Sequence, residues 1–439
     1  MQRATQDGLE WQESFLDLEP VWTREPSIGA IESVSRQQLK ITSDNPCTVT
    51  FHGAGFFNKV YLVRAEGGTF VMRVALPVYP RHKTRAEVIT LKWVRENTTI
   101  PVPEVFAFDD SNDNEIGFEW ILMEFMQGTS AQKRWRTMSM EQKIALTERI
   151  ATFQFELSGL EKQELAFKSM GTLDSPEIDL EADFRAPEAA ITPGRMVIPE
   201  FFKGDYLTYD IPRGPFLSTH DWLSAVLAFV IHHQKLVLEN SQDEHDIEDA
   251  EDILPVAQSL LALLPKVFPP GLGRPEPSAL HHHYSHLDNI LVNEQGEVTA
   301  VIDWECVTAL PLWMLSQVPN FLIDQPREDE PQRDAYMNET PEEAAEAGDR
   351  RNDPDYLDNE GKNQLYWIHM MEYETTQLRK VYKAKLEEVC PDWVKMNPLE
   401  EDFFDAVLRC DGLWMKMVRK WVECIEKGES VRFKDMWNR

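Results

Sequence analysis

Cysteine is scarce in this chain, and none of it is paired in sequence. The five residues, Cys47, Cys306, Cys390, Cys410 and Cys424, are scattered and odd in number, with no Cys-x-x-Cys spacing. That excludes a disulfide-framed scaffold and reads as ordinary thiols in a reducing compartment. Positive charge is also short: Lys and Arg number 44 against 75 Asp and Glu, a formal net charge of -31. Nucleic-acid affinity rests on cations that neutralise phosphates, so nucleic acid and anionic membranes are set aside as partners. No apolar run has the length of a membrane span; the longest candidate, Trp222 to Ile231, is too short and is interrupted by Ser224. Residues 1–26 carry acidic side chains where a secretory signal needs an apolar core. There is no internal repeat. These absences together predict a soluble, cytoplasmic protein.

What is present suffices for a large core. At 439 residues and 42% hydrophobic content, the chain is long enough for two lobes sharing a cleft. Its most informative stretch runs from Leu280 to Trp304. Ile290 to Val292 is a short apolar run, Asn293 to Glu297 with Gly296 is a polar turn, and Val298 to Ile302 is a second apolar run closing on Asp303. An antiparallel hairpin brings the start of one strand beside the end of the next, so Asn289 and Asp303 should meet at one edge. A carboxamide and a carboxylate converging there are hard oxygen ligands that suit Mg²⁺.

Earlier in the chain, Thr48 to Phe51, the turn His52-Gly53-Ala54-Gly55, and Phe57 to Val63 read as strand, glycine turn, strand. Gly53 and Gly55 would let backbone amides approach a phosphate, although a plain hairpin turn explains them equally well taken alone. Phe70 to Val74 is a third strand and contains Arg73. Lys83 to Val94 is helical in period and contains Glu87, whose bland alternative is a solvated surface carboxylate. Val105 to Phe108 is another short strand, and Phe118 to Gly128 reads as a buried strand followed by a connector. Met140 to Leu157 is an amphipathic helix. Residues 162–215 lack a sustained period but hold Phe201, Phe202, Tyr206 and Tyr209, which argue against disorder. They read as part of a substrate-side cover, with Arg195, Asp205, Asp210 and Arg213 as candidate polar contacts.

Ser218-Thr219-His220-Asp221 is not a hydrolase triad, because neighbours in sequence cannot point at one another; it reads as a helix N-terminus, followed by a helix from Trp222 to Val237. His281, His282, His283 and His286 crowd one loop without spaced partners on a second element, so zinc is the weaker reading. The strongly acidic residues 324–362 read as a solvated insertion of a composition that favours disorder. Gln364 to Val389 is helical in period, and Phe403 to Ile425 reads as one final helix.

The segment around Leu280 to Trp304 resembles the catalytic and metal-binding segments of the aminoglycoside phosphotransferase family, small-molecule kinases with a protein-kinase-like fold. The family pattern is His-x-Asp, four residues, Asn, a hairpin, then Ile-Asp-Trp or similar. His282, Asn289 and Asp303 sit where the family has its catalytic-loop His and its two metal-binding residues. Tyr284 stands where the family has its catalytic Asp. A shifted register, His286-Leu287-Asp288 followed by Asn293, also satisfies the written motif but places Asn293 inside the turn; Asp288 could still reach a substrate from the loop.

The resemblance extends upstream. Arg73 would occupy the position of the strand cation that touches phosphates, and Glu87 that of its helix partner. Glu124, through its carbonyl, and Met126, through its amide, would hold the adenine edge, with Met123 at the back of the pocket. The resemblance implies an α+β, two-lobed protein-kinase-like fold with ATP and Mg²⁺ between the lobes. Residues 1–46 would be an extension, 47–126 a β-rich nucleotide-binding N-lobe and 127–439 a larger helical C-lobe. Two functions stay open. One is transfer of the γ-phosphoryl group to a small-molecule hydroxyl. The other is a pseudokinase, a nucleotide-binding or structural module with protein partners, because a phenol with a pKa near 10 is a poor base.

Overall fold

The computed structural model describes residues 5–14, 18–159, 167–175, 191–271, 273–282, 286–342, 359–391 and 397–438. It begins with a two-stranded hairpin, β1 (Leu9–Glu13) and β2 (Leu18–Trp22), and a helix, α1 (Ile28–Gln38). Ser27 caps α1 by accepting from the Ala30 amide, and Ile31 and Val34 turn inward. They pack on the sheet that follows, beside Val63, Val74, Phe118 and Trp120, so α1 is built onto the first lobe.

That sheet contains β3 (Cys47–Ala54), β4 (Asn58–Ala65), β5 (Gly68–Ala75), β6 (Val105–Asp109) and β7 (Glu119–Glu124), with α2 (His82–Asn97) crossing between β5 and β6. The strand order is β3-β4-β5-β7-β6, antiparallel throughout. β5 lies in the middle, which places Arg73 opposite Val60 on one side and Ile121 on the other. The expected strands and helix are all present; β3, β5 and α2 run a few residues beyond the apolar runs, while β4, β6 and β7 differ from them by a residue or so at an end.

Past the connector come β8 (Thr129–Ser130), the one-turn α3 (Ala131–Arg134) and α4 (Met140–Ser158), which starts in a capping box of Ser139 and Gln142. Within the irregular segment lie β9 (Gly171–Asp174), β10 (Thr192–Pro193) and α5 (Pro199–Phe202). α6 (Thr219–Asn240) is capped by Ser218, whose hydroxyl accepts from the Asp221 amide at 3.1 Å, the helix start expected in place of a triad. α7 (Glu244–Val267) packs along α6 and was not foreseen; Pro255 and Pro265 inside it break the signal by which a helix is read.

The remaining elements are β11 (Ser278–His281), β12 (Ile290–Val292), β13 (Val298–Val301), β14 (Thr308–Pro311), α8 (Gln364–Val389), α9 (Pro398–Leu408) and α10 (Met415–Glu426). The single final helix is thus corrected to two. The chain leaves helix at Arg409, and Gly412 accepts the Met415 amide at 2.9 Å as the next helix begins. The described parts of 324–362 are also tied down, contrary to a freely solvated insertion: Arg327 pairs with Glu372 at 2.9 Å and Lys380 of α8 with Glu328 at 2.6 Å. One core joins α6, α7, α9 and α10; a second joins α4 and α8 to the β12–β13 hairpin. The result is the expected fold class, a β-rich first lobe and a larger helical second lobe. Among the described residues no helix is long and apolar enough to cross a membrane.

Candidate functional site

The expected β12–β13 hairpin forms, with Ile290 opposite Val301 and a register shift between Leu291 and Val292. One step beyond the ladder the Ile302 amide donates to the Asn289 carbonyl at 2.9 Å, so Asn289 lies beside the Ile302-Asp303 peptide. Asp303 takes a left-handed backbone, φ 64°, which Asp tolerates better than most residues. The turn is held from below by Trp304, 1% exposed, whose indole donates to the Val301 carbonyl at 2.9 Å. His282 lies edge-on to that indole, ring centroids 4.7 Å apart. Burial pushes its imidazole down to about 4, partly opposed by backbone groups at Ile302 and Asp303, so it is neutral at pH 7.

Arg73 reaches this turn from β5. Its Nη1 donates to Glu87 of α2, while Nη2 donates to Asp303 Oδ1 at 2.9 Å and forms an ion pair with Glu305 Oε2 at 3.0 Å. Glu305 also receives Lys83 Nζ at 2.6 Å and Asn58 Nδ2 at 2.8 Å, and Lys83 donates to Asn58 Oδ1 at 3.2 Å. Glu305, Lys83 and Asn58 are the residues that sequence reasoning missed. One signal was available: Lys83 lies four positions before Glu87 and therefore on the same helix face.

Three carboxylates, Glu87, Asp303 and Glu305, thus face two cations, leaving one negative charge in excess. Their proton affinities differ accordingly. Burial raises Glu305, yet Lys83 and Arg73 overcome it and hold the carboxyl down to about 2. Glu87 is pushed to about 7 by burial, against the pull of Arg73 and Lys83. Asp303 is raised by burial and by Glu305, with Arg73 opposing. Burial works against the charge on Arg73, but its three carboxylate partners outweigh that and keep the guanidinium ionised.

These groups form one end of a cleft of about 870 Å³ between the lobes. Val60, Leu62, Val71, Met123, Leu291 and Ile302 give it apolar walls, and Glu124, Phe125 and Met126 line its edge. The Glu124 amide donates to the Glu104 carbonyl at 2.8 Å, which fixes the strand just before the connector. Gly55, Phe56 and Phe57 overhang the opening. Gly55 closes its turn by donating to the Asn58 carbonyl at 2.8 Å. Gly53 sits at the β3 bulge behind it and is not among the lining residues; a Cβ at either glycine would meet nothing within 4 Å.

Arg73, Glu87, Asn289 and Asp303 are therefore brought together, with Gly55, Glu124 and Met126 on the same cleft. Asp288 is exposed, on a single 3-10 turn, and is not among the lining residues; Asn293 lies in the hairpin turn, accepting from the Gln295 and Glu297 amides. Tyr284 lies outside the described residues. Of the cover candidates, Arg213 is buried and donates to the carbonyls of Phe201, Tyr206, Tyr209 and Ile211, a packing role that corrects its reading as a substrate contact. Asp205 and Asp210 are exposed, and Arg195 reaches the Tyr79 hydroxyl at 3.4 Å.

Mg²⁺ holds few protein ligands and completes its shell with water and phosphate oxygens. The residues present fit that habit. Asn289 and Asp303 line the same cleft from paired ends of the hairpin, three carboxylates face two cations there, and among the described residues no group of three His, Cys, Asp or Glu could hold a metal alone.

The model of the phosphotransferase enzyme family matches residues 48–346. The subtelomeric hrmA-associated cluster protein of Aspergillus fumigatus strain Af293 is 25% identical over 312 residues, covering 61% of this chain and 59% of its own length. The protein of the same description from strain CEA10 matches over the same shares. The chain thus spans about 59% of the length of the curated relatives it matches. Among solved structures, an aminoglycoside-phosphotransferase-type protein of Ralstonia eutropha JMP134 is 14% identical, with a TM-score of 0.43 over 94% of this chain and 95% of the other. Aminoglycoside phosphotransferase APH(4)-Ia is 13% identical, with a TM-score of 0.40 over 92% of this chain and 100% of the other.

Proposed function

Since this chain belongs to the phosphotransferase enzyme family, we propose that it transfers the γ-phosphoryl group of ATP to a hydroxyl of a small molecule, with Mg²⁺ as the metal. The observation that carries this reading is Arg73, held between Glu87 and Asp303 at one end of a cleft whose other walls are apolar. A flat purine suits the slot between Val60, Leu62 and Leu291, with its polar edge on the Glu124 carbonyl and the Met126 amide. The turn containing Gly53 and Gly55 covers the phosphates. Arg73, kept charged by its carboxylates, engages phosphate oxygens through its planar fork, and Glu87 keeps that fork oriented. Asn289 and Asp303 supply oxygen donors for Mg²⁺. When bound, the metal neutralises the charge of the transferring phosphoryl group. His282, neutral and packed on Trp304, holds the loop that precedes Asn289. All five cysteines are free thiols, which accords with the cytoplasm, where ATP is present.

A second reading rests on Tyr284. A carboxylate base contributes about 10²- to 10⁴-fold in such steps, and a phenol near neutral pH supplies little of it. Under this reading the cleft binds nucleotide without turnover, and its partners are proteins.

Thermal melting with ATP, with and without Mg²⁺, tests the nucleotide site. A ligand at a hundred times its dissociation constant stabilises by about 2.7 kcal/mol. The expected outcome is a Mg²⁺-dependent rise in Tm that Asp303→Ala abolishes; absence of any rise in the unaltered protein refutes the first reading and leaves the cleft as architecture, a structural module with protein partners. Tyr284→Asp then separates the two. Phosphate release from ATP that is absent before the substitution and present after it establishes the second reading, and turnover by the unaltered protein establishes the first.

A further inference from the structure

Glu305 is the junction of the cleft floor. A single oxygen, Oε2, accepts from Asn58 Nδ2 at 2.8 Å and forms ion pairs with Lys83 Nζ at 2.6 Å and Arg73 Nη2 at 3.0 Å. Those groups come from β4, α2 and β5, so one carboxylate from the metal-binding turn ties together three elements of the opposite lobe. It is also well enclosed: the Glu305 side chain is 9% exposed and that of Lys83 1%.

Arg73 divides its donors in a way that bears on the metal. Nη1 is committed to Glu87, and Nη2 is shared between Asp303 Oδ1 at 2.9 Å and Glu305. Nη2 hydrogen-bonds Asp303, while the Glu305 carboxylate lies 3.0 Å away as an ion-pair partner. Asp303 must nevertheless turn from Arg73 toward a metal when one binds. A buried guanidinium that loses an anion without replacement is strongly disfavoured. Glu305 is the anion already in place beside the same nitrogen.

We propose that Glu305 is a positioning residue for the metal: it keeps Arg73 seated while Asp303 leaves it for Mg²⁺. This rests on the nucleotide reading above and goes beyond it by assigning a role to a residue outside the Asn289–Asp303 pair. Without the Glu305 carboxylate, Arg73 draws more strongly on Asp303, and Asp303 becomes less available to the cation.

Two variants test this against a role for charge alone. Glu305→Gln keeps the shape and removes the charge. Glu305→Asp keeps the charge but is one methylene shorter, so its oxygen cannot meet Arg73, Lys83 and Asn58 together. The readouts are the Mg²⁺ concentration giving half of the ATP-dependent rise in Tm, and the rise produced by adenosine, which has no phosphate and needs no metal. The expected result is a half-saturating Mg²⁺ concentration raised about ten- to a hundredfold in both variants, the usual cost of losing a partner that orients a metal ligand, with the adenosine response kept. An unchanged Mg²⁺ requirement in Glu305→Gln overturns the proposal. So does a wild-type requirement in Glu305→Asp, because charge alone then suffices, and so does loss of the adenosine response, which marks a purely structural role. Should Glu305→Gln fail to fold by far-ultraviolet circular dichroism, Glu305→Asp decides by itself. No response of the unaltered protein to ATP and Mg²⁺ defeats the nucleotide reading and this inference with it, an outcome distinct from normal binding with an unshifted metal requirement.

Discussion

Glu119 is a carboxylate buried in β7, 2% exposed, that accepts the Arg81 amide at 2.7 Å at the start of α2. Burial pushes it from 4.5 to about 7, against the hydrogen bonds from Thr84 and Arg81. The folded chain therefore holds a proton that the unfolded chain releases earlier. The stability tied to that proton is fully present below 4.5 and is lost as pH rises through about 7. Glu119→Gln, neutral at every pH, should match the wild type near the acid end and exceed it by roughly 3 kcal/mol at most above neutrality. Urea unfolding across that range checks it; a difference between the two proteins that does not grow with pH defeats the argument. His282 acts in the opposite sense, since its depressed value, about 4 against 6.5, makes its contribution present above 6.5 and lost as pH falls through 4. At this scale Asn289 and Asp303 were legible because the hairpin pattern places them at strand ends, and Arg73 and Glu87 because the family resemblance singles them out on a strand and a helix that the pattern locates. Glu305, Lys83 and Asn58 were not. A buried polar group is written with the same letters as an exposed one, and only the fold reveals that Lys83 and Asn58 meet on the Glu305 carboxylate.

Elements with a single period were read well, and those carrying internal contradictions were not. The β12–β13 hairpin has apolar runs of the right length around an Asn-to-Gly turn, and Gly296 takes the left-handed conformation, φ 80°, that the turn needs. The helix Gln364–Val389 was bounded correctly at both ends, where Asn363 caps it by accepting from the Tyr366 amide. By contrast, α7 hides behind two prolines, and the last helical pair behind a short polar break. The segment around Arg213 failed for a different reason. An arginine in a Pro-rich stretch looks like a ligand contact, yet its guanidinium faces inward over Phe229, 4.8 Å from the ring centroid, and binds the carbonyls of its own loop. Irregular backbone must find donors for its carbonyls when buried, and one forked cation supplies several.

Across the whole molecule the two lobes are joined by more than the connector after β7. Phe57, beside the glycine turn, packs edge-to-face on Phe202 of α5 at 5.6 Å, and Tyr79 lies 6.0 Å from the same ring. Val78 and Val197 complete this cluster, and Trp11 and Trp22 of the first hairpin pack against it. The overhang of the cleft is thus anchored from the opposite lobe. Phe202→Ala, at a fully buried position, should cost about 3–5 kcal/mol. It should also speed amide exchange in residues 52–58 more than in the central strands β5 and β7; an even acceleration throughout the sheet argues that the anchor does not act on the overhang. A second tie runs along the floor, where the Val301 amide donates to the Pro101 carbonyl at 2.9 Å. The ion cluster that spans the lobes has a consequence for the order in which the chain is made. Arg73 and Asp303 are separated by 230 residues, and Lys83 and Asn58 await Glu305 from similarly far along the chain. The five-stranded sheet is encoded entirely within residues 47–124 and can assemble while synthesis continues. Its two cations then stand with Glu87 alone until the distant turn arrives. The floor of the cleft is thus completed long after the sheet it closes, and a chain halted before residue 303 carries a formed sheet with an unfinished floor.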